Sequence, residues 1–212
     1  MGVLTFTETL ATRPETSYII IYHSVDMNSR TTVEDIHRWH LKRGMAGIGY
    51  HFFIDKEGKV FAGRPILTKG AHNIAYNSNS VAICFGGDFT KEKMGAKQLS
   101  NEAIELLFLV GFGFGLNLVQ DNGGMTELNR NPVTGEIEEI GGRKALLFFD
   151  ELAGYQGAKM EGFPKDELKR RLKEYTDWFN AERSRAYGSN GAQNFNNWII
   201  SRFAQYGMNI YF

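Results

Sequence analysis

Imidazole, thiol and carboxylate groups are the side chains that bind metals and move protons near neutral pH. In this chain they are unevenly spread. All five histidines (His23, His37, His40, His51 and His72) lie in the first 72 of 212 residues. The single cysteine, Cys84, sits inside the apolar run "AICF", where a thiol is expected to behave as a small buried hydrophobe. No histidine or cysteine follows it. His37 and His40 are three residues apart on a helical pattern, a spacing that could pair them on a metal. The plainer expectation is a packed His40 and an exposed His37. His51 alternates with Tyr50 along a strand, so the two face opposite sides and His51 is expected to be structural. In the back half, "FFDELAGYQGAKMEGFPKDEL" (148–168) offers Phe149, Asp150, Lys159, Met160 and Glu161.

These groups need a scaffold to position them, and its elements are legible. "YIIIYHS" (18–24) is β-branched and apolar, as in a central strand, and "VLTFTET" (3–9) alternates like a short one. "TTVEDIHRWHLKRG" (31–44) predicts a helix capped by Thr31 or Thr32 and closed by Gly44. "GYHFFIDKEGKVFAGRP" (49–65) predicts a hairpin turning at the glycine of "DKEGK". "SVAICFGG" (80–87) predicts another buried strand. The run from Ser100 to Val119 predicts a long helix whose Gly111, Gly113 and Gly115 would let another element approach its backbone. Residues 120–144 are polar and rich in Gly and Asn, an inserted excursion with a hairpin around "NPVTGE" as one option. "ALLFFDEL" (145–152) reads as a strand. Residues 164–183 read as a helix with Leu168, Leu172, Tyr175 and Phe179 on one stripe. After a Gly/Ser/Asn break, Phe195, Trp198, Ile199 and Phe203 approximate helical spacing, as residues that cover a core. The organisation expected is an α/β domain over 1–183, a mixed central sheet flanked by helices, with a C-terminal aromatic, helical extension over 184–212.

Bulk properties narrow the functions. Lys+Arg and Asp+Glu both total 24, so charge makes no case for nucleic acid as a partner. One cysteine excludes an intramolecular disulfide framework. The apolar run 103–119 carries Glu105 and Asn117 and falls short of a bilayer span, so no membrane insertion is expected. The start lacks a basic and apolar leader pattern, which fits a cytoplasmic location.

Three stretches in order carry a family resemblance: "IIIYHS" (19–24), "IHRWHLKRGMAGIGYHFFIDKEGKVFAGRP" (36–65) and "GAHNIAYNSNSVAICFGG" (70–87). Together they resemble the type 2 N-acetylmuramoyl-L-alanine amidases, which include the peptidoglycan recognition proteins, and most of all the phage-encoded branch. The likeness is dense over about 17–90 and weak over 145–175. It implies the fold of that superfamily. It also implies a zinc site of two histidines and a cysteine, whose bound water attacks the amide between muramic acid and L-alanine. His23 matches the first zinc histidine. Tyr50 matches an assisting tyrosine and Lys159 an assisting lysine. Arg64, His72 and Asn77 match positions near the substrate groove, and His40 belongs to a Trp-His packing motif.

The back half departs from that pattern. Phe149 or Asp150 stands where the second histidine belongs, and Met160 or Glu161 where the cysteine belongs. The expectation is therefore a pseudoenzyme without zinc or another cofactor, which binds peptidoglycan fragments or a protein partner. An alternative keeps metal-dependent hydrolysis, with zinc on His23, Asp150 and Glu161. A third is a phage structural or regulatory interaction module that uses 120–144 and the C-terminal aromatics.

Overall fold

The computed structural model describes residues 4–28, 30–118, 127–130, 137–140, 145–152, 157–188 and 191–209. Its centre is a five-stranded sheet. β1 (Tyr18–His23) and β4 (Ser80–Phe85) lie side by side and parallel, with Ile21 opposite Ile83. β2 (Phe52–Ile54) adds to β4 in parallel, and β3 (Val60–Ala62) folds back on β2 as the antiparallel arm of the expected hairpin. β7 (Leu146–Phe148) closes the other edge, parallel to β1, giving the order β3-β2-β4-β1-β7. In the polar excursion, β5 (Glu127–Arg130) pairs antiparallel with β6 (Ile137–Ile140). The rest of 120–144 lies outside the described residues.

Strand alternation sorts the core into two layers. Ile19, Ile21, Ile83 and Phe85 face α2 (Asn101–Gly113), α3 (Lys165–Tyr187) and α4 (Ala192–Gln205). Ile20, Tyr22, Ala82 and Cys84 face Val33 and Ile36 of α1 (Val33–Lys42). Both sheet faces are covered, so β1 and β4 read as unbroken apolar runs rather than alternating ones. Among the described residues no helix is long and apolar enough to cross a membrane.

Helix ends follow local chemistry. At α1 the Thr32 hydroxyl accepts from Asp35 N at 3.1 Å and the Asp35 carboxylate accepts from Thr32 N at 3.0 Å, a capping box. Thr32→Ala is expected to cost about 1 kcal/mol, read as a lower urea midpoint with an unchanged slope. α2 stops at Gly113, short of the predicted 119. Gly115 takes φ +65°, Leu116 N donates to Gly111 O at 2.7 Å and Gly115 N to Phe112 O at 3.1 Å. That paired-bond ending requires a residue free to go left-handed, and glycine supplies it.

Two sequence expectations fail here. Residues 4–9 form no strand: Thr7 N donates to Ala46 O, and the Thr5 carbonyl is taken by His37 Nε2 at 3.0 Å. The alternation was real, but it seats Phe6 edge-on against His37 at 5.3 Å rather than on a sheet edge. For the same reason His37 is buried, not exposed, at 7% accessibility.

The C-terminal aromatics do cover a core. Ile199 and Phe203 of α4 are fully buried with α2 and α3, and Tyr206 reaches β2 through an edge contact with Phe52 at 6.2 Å. Gly113 makes that approach possible. A Cβ there would lie 2.6 Å from the Phe203 ring.

Candidate functional site

Parallel sheets place binding groups beyond the carboxyl ends of their strands, and His23 ends β1 there. It is buried, and its Nδ1 accepts from the backbone N–H of Phe89 at 3.1 Å. A neutral imidazole has one N–H and one lone pair, so this bond leaves the proton on Nε2. Burial lowers the His23 pKa, while the charges of Asp88 and Asp150 oppose that shift. Asp88, itself buried, holds Thr90 Oγ1 at 2.6 Å and Lys91 Nζ at 2.9 Å.

The back-half loop packs against this corner. Gly162 N donates to Phe89 O at 2.8 Å, and Met94 N to Gly162 O at 2.9 Å. A Cβ on Gly162 would sit 1.8 Å from Glu92 O, so the chain can dock this closely only as glycine. Phe163 meets Phe85, Phe89 and Phe148 edge-on at 5.1–5.6 Å. Met160 is buried at 1% accessibility in the same core.

Asp150 follows β7 in a short 3-10 turn, Phe149–Glu151. One carboxylate oxygen accepts from Met160 N at 2.8 Å and the other from Lys165 Nζ at 2.7 Å. Lys159 and Glu161 are exposed. With Asp150 and Lys165 they line an open depression of about 500 Å³. No three His, Cys, Asp or Glu side chains come together to hold a metal ion among the described residues. The donor set that the resemblance implies does not fit a zinc ion here. One histidine has its lone pair engaged, and one carboxylate is already paired with an ammonium. The third position holds a buried thioether or an exposed glutamate.

Tyr50, His72 and Asn77 belong to the other side of the sheet. The Tyr22 hydroxyl and His72 Nδ1 are 2.8 Å apart, and the Tyr22 ring contacts Tyr50 at 5.2 Å and Phe149 at 4.8 Å. Burial pushes the Tyr50 phenol well above its ordinary value and the His72 imidazole well below. His72 Nε2 lies 3.4 Å from Ser80 Oγ, which donates to Tyr76 O at 2.7 Å. The Asn77 carboxamide oxygen accepts from the N–H groups of His72 and Asn73 at 2.9 and 3.0 Å, so it shapes the loop that presents His72. Arg64 is buried and donates to the carbonyls of Ile48 and Lys69 at 3.0 and 3.2 Å. Two of the five guanidinium N–H groups are thus engaged by backbone carbonyls.

Two residues escaped the sequence reading. Tyr22 is one step from His23, so period-2 alternation puts it on the opposite face of the sheet, but only the fold brings Tyr50 and His72 to it. Lys165 carried no signal, because a lysine opening a helix looks like a solvated charge.

The mixed five-stranded sheet with its flanking helices is the fold of N-acetylmuramoyl-L-alanine amidases and peptidoglycan recognition proteins. Residues 12–107 match the family model described as N-acetylmuramoyl-L-alanine amidase. The match ends within α2, before the departing loop. The endolysin of Enterobacteria phage T3 is 38% identical over 76 residues, which are 35% of this chain and 50% of the endolysin. Peptidoglycan-recognition protein LB of Drosophila melanogaster is 35% identical over 100 residues, 42% of each chain. This chain thus spans about half the length of the curated relatives it matches. The amidase LysC of Clostridium intestinale URNW shares the fold, with a TM-score of 0.62 and 24% identity over 81% of this chain and 95% of LysC.

Proposed function

We propose that this protein binds peptidoglycan fragments on an amidase scaffold without hydrolysing them by zinc chemistry. The observation that carries the reading is the state of Asp150. At the strand end where the family draws a metal ligand, this carboxylate is buried and bonded to Lys165 and to the Met160 amide. An intact three-ligand zinc site contributes on the order of 10 kcal/mol of binding free energy, and one engaged imidazole cannot replace it. Glycan and stem-peptide recognition needs shape and polar groups rather than a nucleophile. The Tyr22–His72–Tyr50 cluster supplies an aromatic and hydrogen-bonding wall for that purpose.

The test has two arms on the same protein. Calorimetry with purified muropeptides is expected to show saturable binding that His72→Ala weakens at least tenfold. Incubation with peptidoglycan, with and without added zinc or manganese, is expected to release no stem peptide. Metal-dependent release would instead establish an active amidase with a His23, Asp150 and Glu161 site.

A further inference from the structure

We infer that the Lys165 ammonium is the resident cation of this strand-end site. It neutralises Asp150 and occupies the electrostatic role that a metal has in the family. The inference rests on the reading above that the site works without zinc, and it adds the group that replaces the metal.

Lys165 stands where local rules disfavour it. It is the first residue of α3, at the positive end of the helix dipole, where carboxylates are stabilised and ammonium groups are not. A cation kept there against its helix must be compensated by the tertiary structure. Three groups supply that compensation. Asp150 Oδ1 lies 2.7 Å from Nζ, Glu151 Oε1 lies at 3.5 Å, and the Phe148 ring face lies beneath Nζ at 4.8 Å. Two carboxylates and an aromatic face around one positive charge form a cation site already filled.

Asp150 needs this partner. Its side chain is 3% exposed, and a buried carboxylate without a counter-charge is strongly destabilising. The Met160 amide satisfies its second oxygen but brings no net charge. Asp150 also acts electrostatically on His23, so Lys165 balances the corner that the imidazole shares. Lys165 here is a positioning residue for Asp150 and the 159–163 loop.

Lys165→Met keeps the bulk of the stem and removes the charge. Its melting temperature is expected to fall by about 5–10 °C. Millimolar manganese or zinc should recover most of that loss in Lys165→Met and leave the unaltered protein unmoved. The double variant Asp150→Asn/Lys165→Met removes both charges. It should melt within a few degrees of the unaltered protein and ignore metal, which also controls for ions bound elsewhere.

An unaltered protein stabilised by metal as much as Lys165→Met would overturn the inference, as would a Lys165→Met variant that melts normally. Should Lys165→Met not fold, the double variant decides: folded and metal-insensitive supports the filled site, unfolded sinks it. Muropeptide calorimetry on the same proteins separates the two readings. The melting pattern without ligand binding removes the peptidoglycan reading and leaves Lys165 in place. Ligand binding with a flat melting pattern does the reverse.

Discussion

Phe203→Ala is expected to lower the unfolding free energy by about 3–5 kcal/mol, the range for truncating a fully buried phenylalanine. Domains of this kind have about 5–15 kcal/mol to lose, so the change removes a large share of the stability. The cause is the way α4 is built into the molecule. The Phe203 ring is fully buried against Phe112 at 6.1 Å, in the space opened by Gly113, and its carbonyl accepts from Met208 N at 3.0 Å. Arg202 beside it pairs with Glu105 of α2. Truncation would leave a cavity bounded by α2 and α3, which cannot close because both are pinned to the sheet. Chemical denaturation followed by tryptophan fluorescence reads the effect. A cost below 1 kcal/mol would mean that α4 is an appendage rather than part of the core. Gly113→Val should act in the same direction from the opposite wall, by pushing the ring out.

Acidification is the second large effect. Burial pushes His51 down to about 3 and His40 to about 4, from an ordinary 6.5. Nearby arginines act in the same direction, Arg13 and Arg64 on His51, and Arg43 and Arg64 on His40. The geometry explains the preference for the neutral form. His51 Nδ1 accepts from Ala82 N at 3.0 Å and His40 Nδ1 from Gly49 N at 2.9 Å. A proton on either nitrogen would face an N–H.

The unfolded chain takes up these protons below about pH 6.5, whereas the folded chain refuses them until pH approaches 4 or 3. Stability therefore falls as pH drops through that window. Integrated for two groups from neutrality to about pH 4.5, the loss is on the order of 4–5 kcal/mol. Glu92, held below its ordinary range by its bond to Lys56, adds a loss of the same sign at lower pH, where that carboxylate protonates. Urea midpoints measured between pH 7.5 and 4.5 should decline steadily. His51→Gln, which keeps a polar ring-sized group without the titration, should flatten the decline. A stability constant across that range would contradict the neutral, amide-bonded histidines.

Much of the molecule could be read from short-range chemistry. The Thr32 cap, the cap at Ser100 (whose hydroxyl accepts from Ala103 N at 3.0 Å), the glycine turn in "DKEGK" and the apolar strands around His23 and Cys84 each depend on neighbours a few residues away. The front-half motifs ordered along the chain were enough to point to the amidase family. Composition was equally legible in one respect: no histidine or cysteine follows Cys84.

Other features required the chain to be folded. His23 gives its lone pair to an amide 66 residues away, and Arg202 meets a carboxylate 97 residues away. Strand alternation sent Tyr22 and His23 to opposite faces of the sheet, and loop packing gathered Tyr50 and His72 on the Tyr22 side, so a site that looks continuous in sequence divides across the sheet. Residues 4–9 alternate like a strand but found no free edge. Asp150 reads from sequence as a candidate metal ligand, and nothing near it in the chain announces that the opening of α3 brings Lys165 to its carboxylate. A side chain's type sets which bonds it can make, but which partner reaches it first is decided by packing between elements distant in sequence.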